Sequence, residues 1–319
     1  MLSVEKAAEI IRSGGVVAFP TETVYGLGAN ALDPAAVARI FELKERPAFD
    51  PLIVHVASAS AIRPLLAREP SDWALALAER FWPGPLTMVL DKSEAVPDIV
   101  TSGLKKIGIR APRHPLALAL IEASGCPIAA PSANKFGKVS PTTAQHVRRQ
   151  LPELEWILDG GPCEVGIEST VVALHDDGFE LLRPGLITPE ELLETAPRSA
   201  RDTKADLVSP GLLMSHYSPD KPIYIEGETP HPPDTRQAVY LSFSGRAPEA
   251  YARVEYLSRK SDLREAAANL FGALHRLEES EALFMVAEPL PEQGLGIAIM
   301  DRLRKAAHRY RQDAPQAHS

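Results

Sequence analysis

Up to about residue 195, short apolar runs of strand length alternate with stretches of helical spacing, and this alternation constrains the chain to an α/β architecture. The opening helix takes Ser3 as its cap, turns Val4, Ala7, Ala8 and Ile11 to one side, and stops at Gly14-Gly15. A strand follows to Phe19 and is closed by Pro20. The segment Thr21-Glu22-Thr23-Val24-Tyr25-Gly26-Leu27-Gly28 leads away from it as a glycine-bearing loop or short strand. A second helix begins at Asp33-Pro34, carries Val37, Ile40 and Phe41 inward, and ends before Pro47, which leaves Lys44 and Arg46 at its exit. Leu52 to Val56 alternates as a strand does. Helices from Ser71 to Phe81 and from His114 to Ala123 are interleaved with the strand-like runs LTMVL, IGIRA, PIAAP and WILD. The Asp177-Gly178 pair between apolar runs predicts a hairpin, so the sheet is expected to be mixed.

From Pro197 to about Pro222 no apolar period is sustained, which marks a linker. Beyond it come strand-like PIYIE, AVYLSF and VEYLS, a helix from Leu263 to Leu277, a strand ALFMVA and a helix from Ile297 to Tyr310. That order suggests a small, doubly wound, Rossmann-like α/β domain. The expected division is therefore residues 1–197, a linker over 198–221, and a second domain over 222–319.

Several functional classes are excluded or disfavoured by composition. No apolar run reaches the eighteen or so residues a membrane helix needs, and MLSVEKAAEI is not an export signal, so a cytoplasmic location is expected and no membrane partner. Two cysteines, Cys126 and Cys163, are too few for a zinc site or a disulfide framework. With 34 Lys and Arg against 42 Asp and Glu, the net charge of −8 disfavours a broad basic footprint for duplex nucleic acid, so any anion site must be local. The 29 prolines are spread along the chain and imply many ordered turns.

GxxxxGK[ST], HExxH, GxSxG and a complete GxGxxG are all missing, which removes the P-loop, the zincin, the nucleophile elbow and the dinucleotide fingerprint. What remains is a set of polar residues at the ends of the expected strands, where open α/β sheets bind ligands. Four segments contribute: PTETVYGLG from Pro20, KERPAFDPLIVH from Lys44, IRAP with Arg110, and APSANKFGKVSPT from Ala130. In the last, Ser132, Asn134 and Ser140 surround Gly137, and Ser140-Pro141 is expected to start a helix whose positive end suits a phosphate. Each feature also has a plainer reading. From spacing alone the plainer reading leads: Lys44 and Arg46 as solvated charges at a helix end, Ser132 and Asn134 as turn formers, His55 as a hydrogen-bonded core histidine, and Glu168-Ser169-Thr170 as the start of a strand. Arg110, a charge on a strand between Ile109 and Pro112, divides evenly between a surface and a pocket position. Spacing alone stops at an anion-binding α/β enzyme.

PTETVYGLGANA, K-x-R-P with DPLIVHV, APSAN followed by SPT, GIESTVV, LLRPG, SPG followed by HYSP, and GLGIAIMDRLRKAA occur here in that order. Together they resemble the Sua5/YrdC family, the L-threonylcarbamoyladenylate synthases, over nearly the whole chain. The last two blocks resemble the longer Sua5 form. The resemblance implies a YrdC-like twisted mixed sheet with helices, followed by a smaller Rossmann-like α/β Sua5 domain. It implies a nucleotidyltransferase that makes threonylcarbamoyl-AMP and pyrophosphate from L-threonine, bicarbonate or CO2, and ATP, for tRNA threonylcarbamoyladenosine modification by a downstream transferase machinery. Such a reaction needs anions positioned and charge spread more than it needs a nucleophile.

Carried over residue by residue, the resemblance gives Lys44, Arg46, Ser132 and Asn134 catalytic contacts to ATP. It places Asp50, Ser140, Arg183 and Tyr217 beside the nucleotide, and Thr23, His55, Arg110, Ala130 and Ser169 around threonine, with Arg110 as partner of its carboxylate. Mg2+ is expected on the ATP phosphates. Tyr217 stands in the linker, which predicts that the linker folds over the active site as a lid. Two positions depart from the family pattern. Asp50 stands where asparagine is common, adding negative charge near the phosphates, and Phe136 and Lys138 occupy a loop where small polar residues are usual. Two other classes are weighed: an RNA-binding module, which the net charge disfavours, and a carbamoyl-transfer maturation factor, whose cysteine clusters this chain lacks.

Overall fold

The computed structural model describes residues 2–201, 217–232 and 234–308. The described residues up to 136 and from 140 to 201 make one compact unit; residues 137–139 with those from 217 onward make another.

In the first unit, α1 (Val4–Arg12) is capped by the Ser3 hydroxyl, which accepts from the Lys6 N–H, and the chain leaves it through Gly14 at φ +76°. β1 (Val17–Phe19) and β2 (Gly26–Asn30) pair antiparallel. The carboxylate of Asp33 accepts from the N–H groups of Ala35 and Ala36 and opens α2 (Pro34–Lys44), which ends at Glu45 in the left-handed region, φ 53°. There follow β3 (Ile53–His55), α3 (Asp72–Phe81), β4 (Leu86–Asp91), α4 (Asp98–Thr101), β5 (Lys106–Arg110), α5 (Pro115–Ser124), β6 (Ile128–Ala129), α6 (Ala144–Gln150), β7 (Thr170–His175), β8 (Gly178–Arg183) and α7 (Pro189–Leu193).

The strands form one mixed sheet in the order β1-β2-β6-β3-β5-β4-β7-β8, with β3–β5 and β4–β7 parallel and the other neighbours antiparallel. The hairpin expected at Asp177-Gly178 joins β7 to β8. On one face Ala18, Leu27, Val54, Met88, Ile109 and Val172 pack with Val37 and Ile40 of α2 and Leu77 of α3. On the other, Val17, Phe19 and Ile128 pack against Ala7, Ala8 and Ile11 of α1 and Leu120 of α5. Alternate strand residues therefore serve two cores, and several of the buried polar residues, His55, Arg110 and Arg183 among them, stand at strand ends.

Two local expectations are corrected. WILD is not a strand: it makes one isolated bridge, Ile157 to Ala18, before the chain turns away at Gly160 and Gly161. Ser140-Pro141 does not start a helix. The Pro141 carbonyl is taken by the Tyr25 N–H at 2.9 Å, and α6 begins at Ala144 with Thr143 as its cap. The phosphate cradle expected at a helix N-terminus after Ser140 is therefore not built.

The second unit contains β9 (Ile223–Ile225), β10 (Ala238–Ser242), β11 (Arg253–Tyr256), α8 (Leu263–Glu278), β12 (Phe284–Ala287) and α9 (Leu295–His308). Its sheet is parallel throughout, in the order β11-β10-β12-β9. Tyr217, φ 60°, is fully buried within this unit, with its ring 5.4 Å from that of Phe271 and 5.8 Å from the Arg302 guanidinium. Here too the Ser218 N–H donates to the Gly137 carbonyl at 2.8 Å, and Lys138 pairs with Asp220. Most of the expected linker, and with it the lid, falls on residues 202–216, outside the described residues. Among the described residues no helix is long and apolar enough to cross a membrane.

Candidate functional site

The site lies in the first unit, where the loops after β1, α2 and β6 meet the ends of β3, β5, β7 and β8. Its first half is organised by Lys44. This lysine is buried in the last turn of α2, and its Nζ donates to the carbonyl of Ser132 at 2.6 Å and to that of Asn134. The Lys44 carbonyl in turn accepts from the Phe136 N–H at 2.9 Å. The end of α2 and the 132–136 loop are thus locked together from both sides. Burial, with Arg46 close by, pushes the Lys44 ammonium well below the ordinary lysine range.

Arg46 follows the left-handed Glu45 and is also buried; its Nε donates to the Asp50 carbonyl at 3.0 Å and its Nη2 to that of Pro51 at 3.0 Å. The Asp50 carboxylate lies 2.8 Å from Nη2. Burial raises the Asp50 carboxyl above its ordinary range while Arg46, Lys44 and Arg183 pull the other way. The carboxylate at residue 50 is thus paired directly with Arg46, with Lys44 and Arg183 near enough to favour its charged form. Arg183, at the end of β8, donates through Nε to the Ser169 carbonyl and through Nη2 to the Ser169 hydroxyl, both at 3.1 Å; that hydroxyl is 2.8 Å from Thr87 Oγ1 on β4. Gly185 makes this close approach possible, because a Cβ there would stand 2.4 Å from the Thr170 nitrogen and 2.7 Å from the Ser169 carbonyl carbon.

The second half is built on the β3–β5 register, which sets His55 beside Arg110. Arg110 is buried; its Nη1 donates to Thr23 Oγ1 at 2.9 Å and its Nε to the Gly84 carbonyl at 3.2 Å, and its Nη2 is 2.7 Å from Glu22 Oε2. Burial alone would raise the Glu22 carboxyl, and Arg110 more than reverses it, leaving Glu22 below the ordinary range. Ala130 is tied in by its N–H to the Ile53 carbonyl at 2.9 Å. His55 is buried edge-on to Phe19, and burial with the adjacent Arg110 holds it down to about 3. Its imidazole is thus neutral at ordinary pH.

That depression has a consequence for stability. With the folded pKa below the unfolded 6.5, the unfolded chain takes up the extra proton first, so stability falls as pH drops from 6.5 towards about 3. His55→Gln is expected to flatten this acid limb in a plot of Tm against pH; an unchanged slope would mean the imidazole is not held neutral.

The expected residues thus gather as follows. Lys44, Ser132 and Asn134 touch directly; Arg46 holds Asp50; Arg183 holds Ser169; Arg110 holds Thr23 and adjoins His55. Ser140 instead donates to Glu168 Oε1 at 2.6 Å, and Tyr217 belongs to the second unit. The plain readings of Lys44 and Arg46 as solvated charges and of Arg110 as a surface residue do not survive their burial. Sequence reasoning passed over Glu22 and Thr87, and weighed Glu168 only as part of the Glu168-Ser169-Thr170 run, without a role of its own. A carboxylate inside the buried PTETVYG run was the available signal for Glu22. Asp50, Glu22, His55 and Arg110 each carry a buried side-chain polar atom with no aligned hydrogen bond among the described residues. Such atoms are costly unless a ligand or water meets them.

Comparison with known proteins bears on the family and the fold. Residues 9–185 match the Sua5/YciO/YrdC family model, described as telomere recombination, and residues 187–308 match that of the threonylcarbamoyl-AMP synthase C-terminal domain. The threonylcarbamoyl-AMP synthase of Bacillus subtilis is 43% identical, over 95% of this chain and 92% of its own. That of Schizosaccharomyces pombe is 38% identical, over 96% and 88%. The crystal structure of P. abyssi Sua5 complexed with L-threonine superposes with a TM-score of 0.86 at 42% identity, covering 96% of this chain and 94% of that one. With both halves matched in order and the fold shared along almost its entire length, the chain belongs to the Sua5 family of threonylcarbamoyl-AMP synthases.

Proposed function

We propose that the two halves of this site hold the two substrates of one adenylyl transfer: ATP at Lys44, Arg46, Asp50, Ser132, Asn134, Ser140 and Arg183, and L-threonine at Thr23, His55, Arg110, Ala130 and Ser169. Threonine and bicarbonate or CO2 give a carbamate, whose oxygen attacks the α-phosphorus of ATP while pyrophosphate leaves. Threonylcarbamoyl-AMP then passes to the tRNA-modifying transferase machinery of the cytoplasm. Arg46 and Arg183 offer planar forks to phosphate oxygens, Ser132 and Asn134 offer short polar groups at the α-phosphate, and Arg110 takes the threonine carboxylate. Neutral His55 serves as a hydrogen-bond partner and adds no charge beside Arg110. Ser169 joins the halves, since its hydroxyl accepts from Arg183.

Magnesium is the cation this chemistry calls for. The ion would ride on the ATP phosphates; Asp50, the one carboxylate among the ATP residues named above, is already paired with Arg46 at 2.8 Å and could at most add an outer contact to it. When bound, the ion neutralises the charge building on pyrophosphate.

The observation that carries the reading is the seat of Lys44 on the Ser132 and Asn134 carbonyls, which joins K-x-R to S-x-N although the two lie far apart in the chain. The test is pyrophosphate release from ATP with Mg2+ and bicarbonate. It is expected to rise about tenfold or more on adding L-threonine; release at the same rate without threonine would overturn the assignment.

A further inference from the structure

Glu22 is a carboxylate that the substrate assignments above leave without a task, yet it is 1% exposed. It comes from the loop between β1 and β2, which is fastened at this point by the Val165 N–H donating to the Glu22 carbonyl at 2.7 Å. Its neighbour Thr23 is fixed in turn, since Thr21 Oγ1 is 2.8 Å from Thr23 Oγ1 and donates to the Val24 carbonyl at 2.6 Å. Arg110 is therefore held by three contacts from two segments: Thr23 at Nη1 and Glu22 at Nη2 from the β1–β2 loop, and Gly84 at Nε from the turn before β4.

A guanidinium has five N–H donors. One is used at Nε and one at Nη1, while the 2.7 Å approach of Glu22 engages Nη2 as an ion pair without an aligned hydrogen bond. The N–H groups left over are on Nη1 and Nη2, the end-on fork that fits a carboxylate. The Glu22 carboxylate makes no well-aligned hydrogen bond among the described residues, although the N–H groups of Arg113 and of Glu22 itself lie close enough to favour its charged form. This half of the site thus places a buried positive fork beside a buried negative charge. Burial makes that arrangement selective, because in a low dielectric an uncompensated charge on the ligand is costly. A plain carboxylate meets Arg110 but is repelled by Glu22. An α-amino acid brings an ammonium for the negative end as well as a carboxylate for the positive one.

We infer that Glu22 is a specificity-determining residue for ligand entry: paired with Arg110, it tunes the amino-acid half of the site to the incoming zwitterion, before the amine is carboxylated, and turns away incoming ligands that carry only negative charge, the triphosphate of ATP included. This deepens the proposed function and rests on its assignment of Arg110 to the threonine carboxylate. It also accounts for a charged pair being kept where a neutral pocket would cost less to bury.

The test compares L-threonine with 3-hydroxybutyrate of the matching hand, which keeps the carboxylate, hydroxyl and methyl but lacks the amine, by isothermal titration against the full-length protein. Wild-type protein is expected to prefer threonine by tenfold or more. Glu22→Gln is expected to reduce that preference about tenfold, since the anion gains more than the zwitterion when the negative charge goes, and Glu22→Asp, which restores the charge, to keep it within threefold of wild type. An unchanged preference in Glu22→Gln, with threonine still bound, overturns the inference alone. Should that variant fail to fold, wild-type binding decides: equal or tighter binding of the hydroxy acid overturns it. Binding of neither compound by wild-type protein overturns the functional reading together with the inference.

Discussion

Replacing Arg46 by alanine is expected to lower threonine-dependent pyrophosphate release about tenfold or more, roughly 1.4 kcal/mol in the barrier, and to destabilise the fold as well. The second effect follows from Asp50, which is 1% exposed and whose carboxylate lies 2.8 Å from the guanidinium that the substitution removes. Breaking a buried pair on one side typically costs about 3–5 kcal/mol. The two effects separate in the double variant Arg46→Ala, Asp50→Asn, where no carboxylate is stranded. Thermal unfolding should recover most of the lost stability while the rate stays low. Recovery of the rate along with the stability would mean that Arg46 serves the fold alone and touches no phosphate.

Lys44→Met carries the second large effect. Methionine fills much of the same space but leaves the carbonyls of Ser132 and Asn134 without the ammonium that now meets them. At about 1–3 kcal/mol for each stranded acceptor, partly offset by no longer burying a charge, the net loss is about 2–4 kcal/mol. Catalysis should fall with it, since the 132–136 loop loses its clamp. The pH dependence has a definite sign. The Lys44 pKa is lower in the folded protein than the 10.5 of the free side chain, so the unfolded chain binds more protons in between and wild-type stability gains as pH rises towards 10.5. Lys44→Met lacks that gain, so its deficit in chemical denaturation should widen on the alkaline side. A deficit that narrows there would mean Lys44 is not held in its lowered state.

The features that could be read from the sequence are those governed by near neighbours. Ser3, Asp33 and Ser71 cap their helices because an N-cap bond spans only two or three residues. The β7–β8 hairpin follows from Asp177-Gly178 for the same reason. WILD and Ser140-Pro141 misled because a partner distant in the chain decides each: Ala18 takes one pair of hydrogen bonds from the first, and Tyr25 claims the Pro141 carbonyl. Candidate residues were legible as motifs, but not their burial. Nothing local distinguishes Lys44 from any lysine in a last helical turn, where solvent exposure is the rule. Glu22 was obscured likewise, because its partner Arg110 arrives from β5.

Glu45 stands between Lys44 and Arg46, at φ 53°. Had α2 continued through it, the two flanking side chains would diverge by about 200° around the axis, and one cation would face solvent. The kink at this single residue lets both point inward, so K-x-R is two chemical letters separated by a conformational one. The outer letters matter through charge and the middle one through backbone handedness, which glycine and asparagine adopt most readily. What residue 45 contributes is thus a matter of shape, independent of the charges that it sets in place on either side.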